Sequence, residues 1–245
     1  MQTKQFWAIV PAAGVGKRML ADRPKQYLNL QNKTVIEHTL DKLLSLDEIK
    51  GAVISISDTD EYWPELKYQS DKPLLITNGG KERSDSVLNA LTLLNNDHLE
   101  KTENIWVLVH DAARPCVRNK DIQKLIKLGS LNDDGALLAL PVRDTMKRST
   151  HENSGQSNNT KESVDHTVNR DGLWHALTPQ MFKLDLLFSA LHEAQKNKSN
   201  ITDDASAMEL AGYHPKLVEG HEDNIKITRA FDLQLAELFL ENQSK

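Results

Sequence analysis

Five short apolar runs, at residues 6–10, 52–57, 74–77, 105–109 and 135–141, alternate with segments whose apolar positions recur at helical spacing. That alternation constrains the fold more than any other feature of the chain. The runs are too short for helices. Near-continuous hydrophobicity over such a length marks a strand buried on both faces, as in a parallel sheet covered by helices. The expected class is therefore α/β, a mostly parallel sheet flanked by helices.

Helix limits follow from local chemistry. Thr34, Val35, Ile36 and Glu37 fit a capping box, and Ile36, Leu40, Leu43 and Leu44 then share a face, so a helix is expected over about 35–46. Further helices are expected near 84–95, 121–129, 183–196, 203–211 and 230–242, with extended pieces at 215–218 and 225–228. The stretch LWHALTPQMF is read only as the lead into the helix after it. Leu233, Leu235, Leu238 and Leu240 are expected in the core, and Trp7, Trp106 and Trp174 in the core or an interface. Residues 143–170 hold few apolar side chains and a centre rich in Ser, Asn, Thr and Gly, so they should protrude as a loop or a hairpin arm. The remainder reads as a single domain spanning 1–245, with the arm inside it.

At 245 residues and 39% hydrophobic content the chain can bury a full core. Its net charge of −5 argues against a general nucleic-acid or anionic-membrane surface, so an anion site must come from a local concentration of cations such as Lys17, Arg18, Arg23 and Lys25. Cys116 stands alone, which excludes an internal disulfide and a cysteine-cluster zinc site and fits a cytoplasmic location. The run at 6–10 is too short for a signal peptide and is closed by Pro11, and no run approaches the ~18 apolar residues of a membrane span. His110, His166 and His175 lack metal-ligand spacing and are read as packing or hydrogen-bonding groups.

The most informative loop follows the first strand: PAAGVGKRM, residues 11–19. Gly14 and Gly16 would let backbone N–H groups approach an anion closely. A P-loop requires Gly-Lys-Ser/Thr, whereas Arg18 follows Lys17, and the third glycine of a dinucleotide fingerprint is replaced by Met19. Two glycines alone would be read as an ordinary turn beside surface cations. The added spacing to Arg18 and to Pro24-Lys25-Gln26 favours a phosphate loop of a different kind.

That loop resembles the signature of nucleotidyltransferases. The later segments NGGKERSDSV, VLVHDAARP, PVRDTMKR, HTVNRDGLWHALTPQ, ITDDASAME and VEGHEDNIKIT stand in the order of the 2-C-methyl-D-erythritol 4-phosphate cytidylyltransferase family. The resemblance spans nearly the whole chain. It implies a Rossmann-like nucleotidyltransferase sandwich with a protruding β-hairpin arm, and a reaction in which CTP and methylerythritol 4-phosphate give CDP-methylerythritol and pyrophosphate, a step of non-mevalonate isoprenoid biosynthesis. It also implies a homodimer joined through the arm. A related enzyme acting on another polyol phosphate, such as ribitol 5-phosphate, and a noncatalytic nucleotide-binding protein on the same scaffold are the rival readings.

The chemistry needs cations rather than a protein nucleophile, because the attacking phosphate is already an anion and charge crowds at the transition state. By resemblance Arg18 and Lys25 stabilise that transition state. Ala12, Ala13, Gly14, Gly16, Gly79, Gly80, Arg83 and Ser86 are expected at the nucleotide, with Ser84 capping the helix there. Thr145, Arg170, Lys226 and Arg114 are the candidates for the second substrate, Arg114 also for the nucleotide. Asp111, at the end of the run IWVLV, is expected to bind Mg²⁺, with Asp223 as a further candidate ligand. The chain departs from the pattern mainly in the arm, where STHENSGQSNNTKES is long and polar and Asn169 stands in place of an aspartate.

Overall fold

The computed structural model describes residues 4–14, 22–97, 104–150 and 163–244. Strand β1 (Gln5–Pro11) is followed, after the residues 15–21 that lie outside this description, by a short hairpin of β2 (Asn29–Leu30) and β3 (Lys33–Thr34) and by helix α1 (Val35–Leu44). Then come β4 (Ile49–Ile56), α2 (Trp63–Leu66), β5 (Leu74–Asn78), α3 (Arg83–Asp97), β6 (Ile105–Val109), α4 (Asn119–Gly129) and β7 (Ala136–Pro141). The arm is formed by β8 (Met146–Ser149) and β9 (Val164–Val168). The chain returns through β10 (Trp174–Lys183), α5 (Leu184–Lys196), α6 (Asp204–Leu210), β11 (Lys216–Glu219) and α7 (Ala230–Gln243).

The main sheet has seven strands in the order β11-β7-β10-β6-β1-β4-β5. All neighbours run parallel except β10, which is antiparallel to both β6 and β7. The α/β expectation holds, and β1 shows why: Phe6, Ala8 and Val10 belong to one apolar cluster, Trp7 and Ile9 to the other. Side chains alternate across a strand, so a strand covered on both faces must be apolar at every position. Residues of α1 and α4 join the first cluster, and residues of α3, α5 and α6 the second.

Helix α1 starts as expected, with the Thr34 backbone N–H donating to Glu37 Oε2 at 2.7 Å and the Glu37 N–H donating to Thr34 Oγ1 at 3.4 Å. Other expectations are refined or corrected. The stretch 173–182 does lead into the next helix, α5, but it is itself extended and supplies most of β10, whose pairing with β7 is interrupted between Ala176 and Gln180, around Pro179. A proline breaks the ladder and disguises a strand. Residues 225–228 form a loop rather than a strand, tied down by the Ile227 N–H to Ala113 O at 2.9 Å. Helix α7 is only partly core: Ala236 and Leu240 are buried, Leu233 and Leu235 are half-buried, and Leu238 is 51% exposed. Trp7 and Trp106 are buried as expected, whereas Trp174, paired with Pro141 and 36% exposed, is not in the core.

The polar segment does form a hairpin, with Met146 paired to Val168 and Lys147 to Thr167. Its tip, residues 151–162, lies outside the described residues.

Candidate functional site

Loops leaving the C-terminal ends of β1, β5 and β6 converge on one cleft, lined among others by Ala12, Ala13, Gly14, Lys25, Gln26, Gly80, Arg83, Ser86, Asp111 and Lys226. The chain passes from β1 outward to β4 and β5 and then back to β6 on the other side of β1. In open α/β sheets such a reversal of strand order opens a crevice at the strand ends where ligands bind.

The loops are held by short-range chemistry. The Ala12 N–H donates to Ser55 O at 2.8 Å, and Gln26 Nε2 donates to Ala12 O at 2.5 Å. A Cβ on Gly79 would fall 2.2 Å from the Ala13 Cβ, so a glycine there lets the β1 and β5 loops touch. The Gly80 N–H donates to Ser86 Oγ at 3.0 Å, and Ser86 Oγ donates to Glu82 O at 3.2 Å. Ser84 does not cap α3 as expected, because the helix already begins at Arg83; Asp85 Oδ2 instead accepts the Glu82 N–H at 3.0 Å.

Asp111 is the electrostatic centre of the cleft. Its Oδ1 accepts from Arg83 Nε at 2.9 Å, while its Oδ2 lies 2.8 Å from Lys226 Nζ and 3.6 Å from Arg114 Nε. Burial alone would raise its pKa, but Arg83, Lys226 and Arg114 outweigh it and hold the carboxyl well below the usual range. Arg83 is itself shared, with Nη1 2.9 Å from Asp204 Oδ2. Burial works against its charge, and the two carboxylates reverse that effect and raise its pKa. Burial pulls Arg114 down. Arg114 Nη1 donates to Asn224 O at 2.7 Å, and Lys25 Nζ donates to Ile227 O at 2.9 Å, so the loop before α7 is fastened to the cleft.

Behind Asp111 lies a buried chain of hydrogen bonds. The Asp111 N–H donates to Thr178 Oγ1 at 3.2 Å, Thr178 Oγ1 is 3.0 Å from His110 Nδ1, and His110 Nε2 is 3.0 Å from Arg114 O. A carbonyl only accepts, so Nε2 carries the proton and Nδ1 accepts from Thr178. Burial pushes the His110 pKa from 6.5 down to about 4, the Arg114 charge adding to it and the Arg114 carbonyl and Asp111 charge opposing it. The neutral ring's contribution to stability is therefore full above pH 6.5 and is lost as pH falls towards 4. A series of denaturant melts should show stability falling across this window, and less steeply in His110→Asn; equal slopes for the two proteins would contradict the assignment.

The cleft thus gathers Ala12, Ala13, Gly14, Gly80, Arg83, Ser86, Asp111, Lys25 and Lys226, with Gly79 beside it and Arg114 behind Asp111. Gly16 and Arg18 lie outside the described residues. Thr145 and Arg170 do not line the cleft. Both are exposed, and Arg170 Nη1 donates to the Arg143 carbonyl at the base of the arm. Asp223 does not join Asp111 either: it lines another cavity, 2.7 Å from Arg118 and accepting from Gln243 at 2.9 Å. The sequence assigned no role to Gln26 or Asp204, although Pro24-Lys25-Gln26 and ITDDASAME, the segments containing them, both stand out in it.

The family model described as IspD, 2-C-methyl-D-erythritol 4-phosphate cytidylyltransferase, matches residues 6–242. The chain belongs to this family. It is 50% identical over 238 residues to the 2-C-methyl-D-erythritol 4-phosphate cytidylyltransferase of Aliivibrio fischeri, covering 97% of this chain and 94% of that one. It is 51% identical over 239 residues to that of Vibrio atlanticus, with 98% and 97% covered. Among solved structures, the cytidylyltransferase of Francisella tularensis superposes with a TM-score of 0.79 at 35% identity, covering 96% of this chain and all (100%) of that one. The seven-stranded sheet and its flanking helices are thus the cytidylyltransferase architecture.

The cytidylyltransferase family raises the question of a divalent ion. Mg²⁺ takes few protein ligands and is completed by phosphate oxygens and water. Among the described residues no group of three or more His, Cys, Asp or Glu could hold a metal, and both Asp111 oxygens already face cations. The donor set fits an ion that arrives on a triphosphate and borrows one carboxylate; it does not fit a cage built by the protein. No helix among the described residues is long and apolar enough to cross a membrane.

Proposed function

We propose that this chain transfers the cytidylyl group of CTP to 2-C-methyl-D-erythritol 4-phosphate, releasing pyrophosphate. The observation that carries the reading is the ring of Arg83, Arg114 and Lys226 around Asp111, with Lys25 on the same cleft, in a chain half identical to enzymes of that name. A phosphate oxygen of the polyol attacks the α-phosphorus, a new P–O bond forms, and the bond to the β-phosphate oxygen breaks. The protein's task is to bring two anions together and stabilise the charge that crowds at phosphorus.

Lys25 and Lys226 approach the cleft from two different loops and are suited to the equatorial and leaving oxygens, with Arg18 acting alongside them. Gly79, Gly80, Arg83 and Ser86 form the base end, and the backbone of residues 12–14 faces the triphosphate. Asp111 would lend a carboxylate oxygen to a Mg²⁺ carried in on the triphosphate, which would neutralise part of the triphosphate charge. Arg114 holds Asp111 and the loop at Asn224, and so serves the substrate phosphate through that loop.

The polyol end is completed by Thr145 and Arg170 from the arm of a second copy. Both are exposed, flank the hairpin strands and are not among the residues lining their own cleft, which agrees with an arm that reaches across a homodimer. The buried, unpaired Cys116 agrees with a cytoplasmic enzyme, and the net charge of −5 with small-molecule substrates rather than nucleic acid or membrane.

Purified protein is expected to release pyrophosphate only when CTP, methylerythritol 4-phosphate and a divalent ion are all present. Chelation with EDTA should abolish release and excess Mg²⁺ should restore it. Full activity in EDTA would remove the metal from the account, and no release under any of these conditions would remove the reaction itself.

A further inference from the structure

Asp204, the first residue of α6, has no exposed surface, and neither of its oxygens has a hydrogen-bond partner. Its ion-pair partner is Arg83, with Nη1 2.9 Å from Oδ2 but poorly aligned for a hydrogen bond. Burying a carboxylate on so little support is expensive, and hydrophobic or neutral residues commonly serve a fold better at such positions. Burial pushes the Asp204 carboxyl up, the Asp111 charge adds to it, and Arg83 alone pulls it down. Helix capping does not account for the residue. That role belongs to Asp203, whose side chain accepts from the Ser206 N–H at 2.9 Å within a capping box.

What Asp204 does touch is the guanidinium that holds the centre of the cleft. Arg83 places Nε on Asp111 and Nη1 on Asp204, and its Nη2 is buried with no hydrogen-bond partner. The three nitrogens are fixed in one plane, so two anchors on different sides settle the orientation of the whole group. An arginine beside a lone carboxylate prefers to grip both its oxygens. Arg83 instead takes only Oδ1 of Asp111, and Oδ2 remains for Lys226 at 2.8 Å. The charge count points the same way. Arg83, Arg114 and Lys226 surround Asp111, and Asp204 meets only Arg83, so cations outnumber carboxylates here, which suits an incoming phosphate.

We propose that Asp204 is a positioning residue for cytidylyl transfer: by anchoring Nη1 it stops Arg83 from gripping both oxygens of Asp111, and so keeps Asp111 and Lys226 set for the nucleotide. The proposal rests on the cytidylyltransferase reading for its substrate, but its effect is also read in CTP binding alone.

The test is a double-mutant cycle. Asp204→Asn, Arg83→Lys and the double variant are compared for kcat, KM for CTP, the dissociation constant for CTP and thermal stability. Asp204→Asn is expected to fold with an unchanged or higher melting temperature while losing about tenfold in CTP affinity and kcat/KM, and the double variant should be no worse than Arg83→Lys alone. Multiplicative losses in the double variant, or activity lost only in step with melting temperature, would overturn the proposal. Asp204→Ser takes over if Asp204→Asn does not fold, and if neither folds the charge is structural and the proposal fails. Absence of pyrophosphate release by the unmutated protein would sink the cytidylyl-transfer reading, while the cycle in CTP dissociation constants would still decide the role of Asp204.

Discussion

Replacing Lys25 by alanine is expected to lower kcat for pyrophosphate release about 10²- to 10³-fold, the range for removing one preorganised stabiliser of transition-state charge. In the ground state the two substrates already carry their phosphate charges, and on the proposed reading the triphosphate would be held by backbone groups and other cations as well. At the transition state charge shifts onto the oxygens around the α-phosphorus, and a cation fixed there gains strength when it is needed. Lys25 is fixed, because Nζ donates to the carbonyl of Ile227 at 2.9 Å. Its stem sits on the short helical turn Lys25–Tyr27, which is anchored by buried Gln26 and Tyr27. Steady-state kinetics with saturating CTP separates the possibilities. A loss in kcat with nearly constant KM is the expected pattern, whereas a raised KM with normal kcat would make Lys25 a binding group only.

The second large effect is expected from Asp111→Asn. Removing this charge leaves Arg83, Arg114 and Lys226 facing one another with Asp204 as the remaining anion. Breaking a buried ion pair by deleting one partner costs about 3–5 kcal/mol, because the other charges stay desolvated. Lys226 is 38% exposed at its side chain and can swing outward, which favours the lower end of that range. Chemical denaturation should therefore show the variant about 3 kcal/mol less stable than the parent, with pyrophosphate release falling below a hundredth. A variant of parental stability would mean that the three cations do not depend on Asp111. The Mg²⁺ dependence of the residual activity adds a second reading. A marked rise in the Mg²⁺ concentration for half-activity is expected if Asp111 lends an oxygen to the ion, and an unchanged value would leave it the ion-pair role alone.

Much of this was legible in the residues, for identifiable physical reasons. Strands β1, β6 and β7 announced themselves because both of their faces are buried and no polar position interrupts them. The cleft was legible because its residues follow strand ends directly: Ala12 and Ala13 after β1, Gly79 and Gly80 after β5, Asp111 after β6. Helix α1 carried its own start signal in Thr34 and Glu37.

The misses share a cause, which is that the deciding partner is remote in sequence. Strand β10 is interrupted at Pro179 and recognisable only from its neighbours β6 and β7. The leucines of α7 promised a core helix, but its packing against the small Leu30, Val35 and Cys116 cluster buries only one narrow face. Asp223 looked like a companion to Asp111 until Arg118 and Gln243 were found to hold it elsewhere. Asp204 was hidden for the same reason, since nothing near it in the chain reveals Arg83.

The central claim is that this cleft joins a cytidylyl group to methylerythritol 4-phosphate in preference to other polyol phosphates. The most direct test offers the unmutated protein CTP, Mg²⁺ and equal amounts of methylerythritol 4-phosphate and ribitol 5-phosphate, and identifies the diphosphocytidyl products by mass and ³¹P spectroscopy. The account predicts CDP-methylerythritol and pyrophosphate in equal amounts with little of the ribitol product. A dominant ribitol product, or CTP left intact beside both polyols, would contradict it.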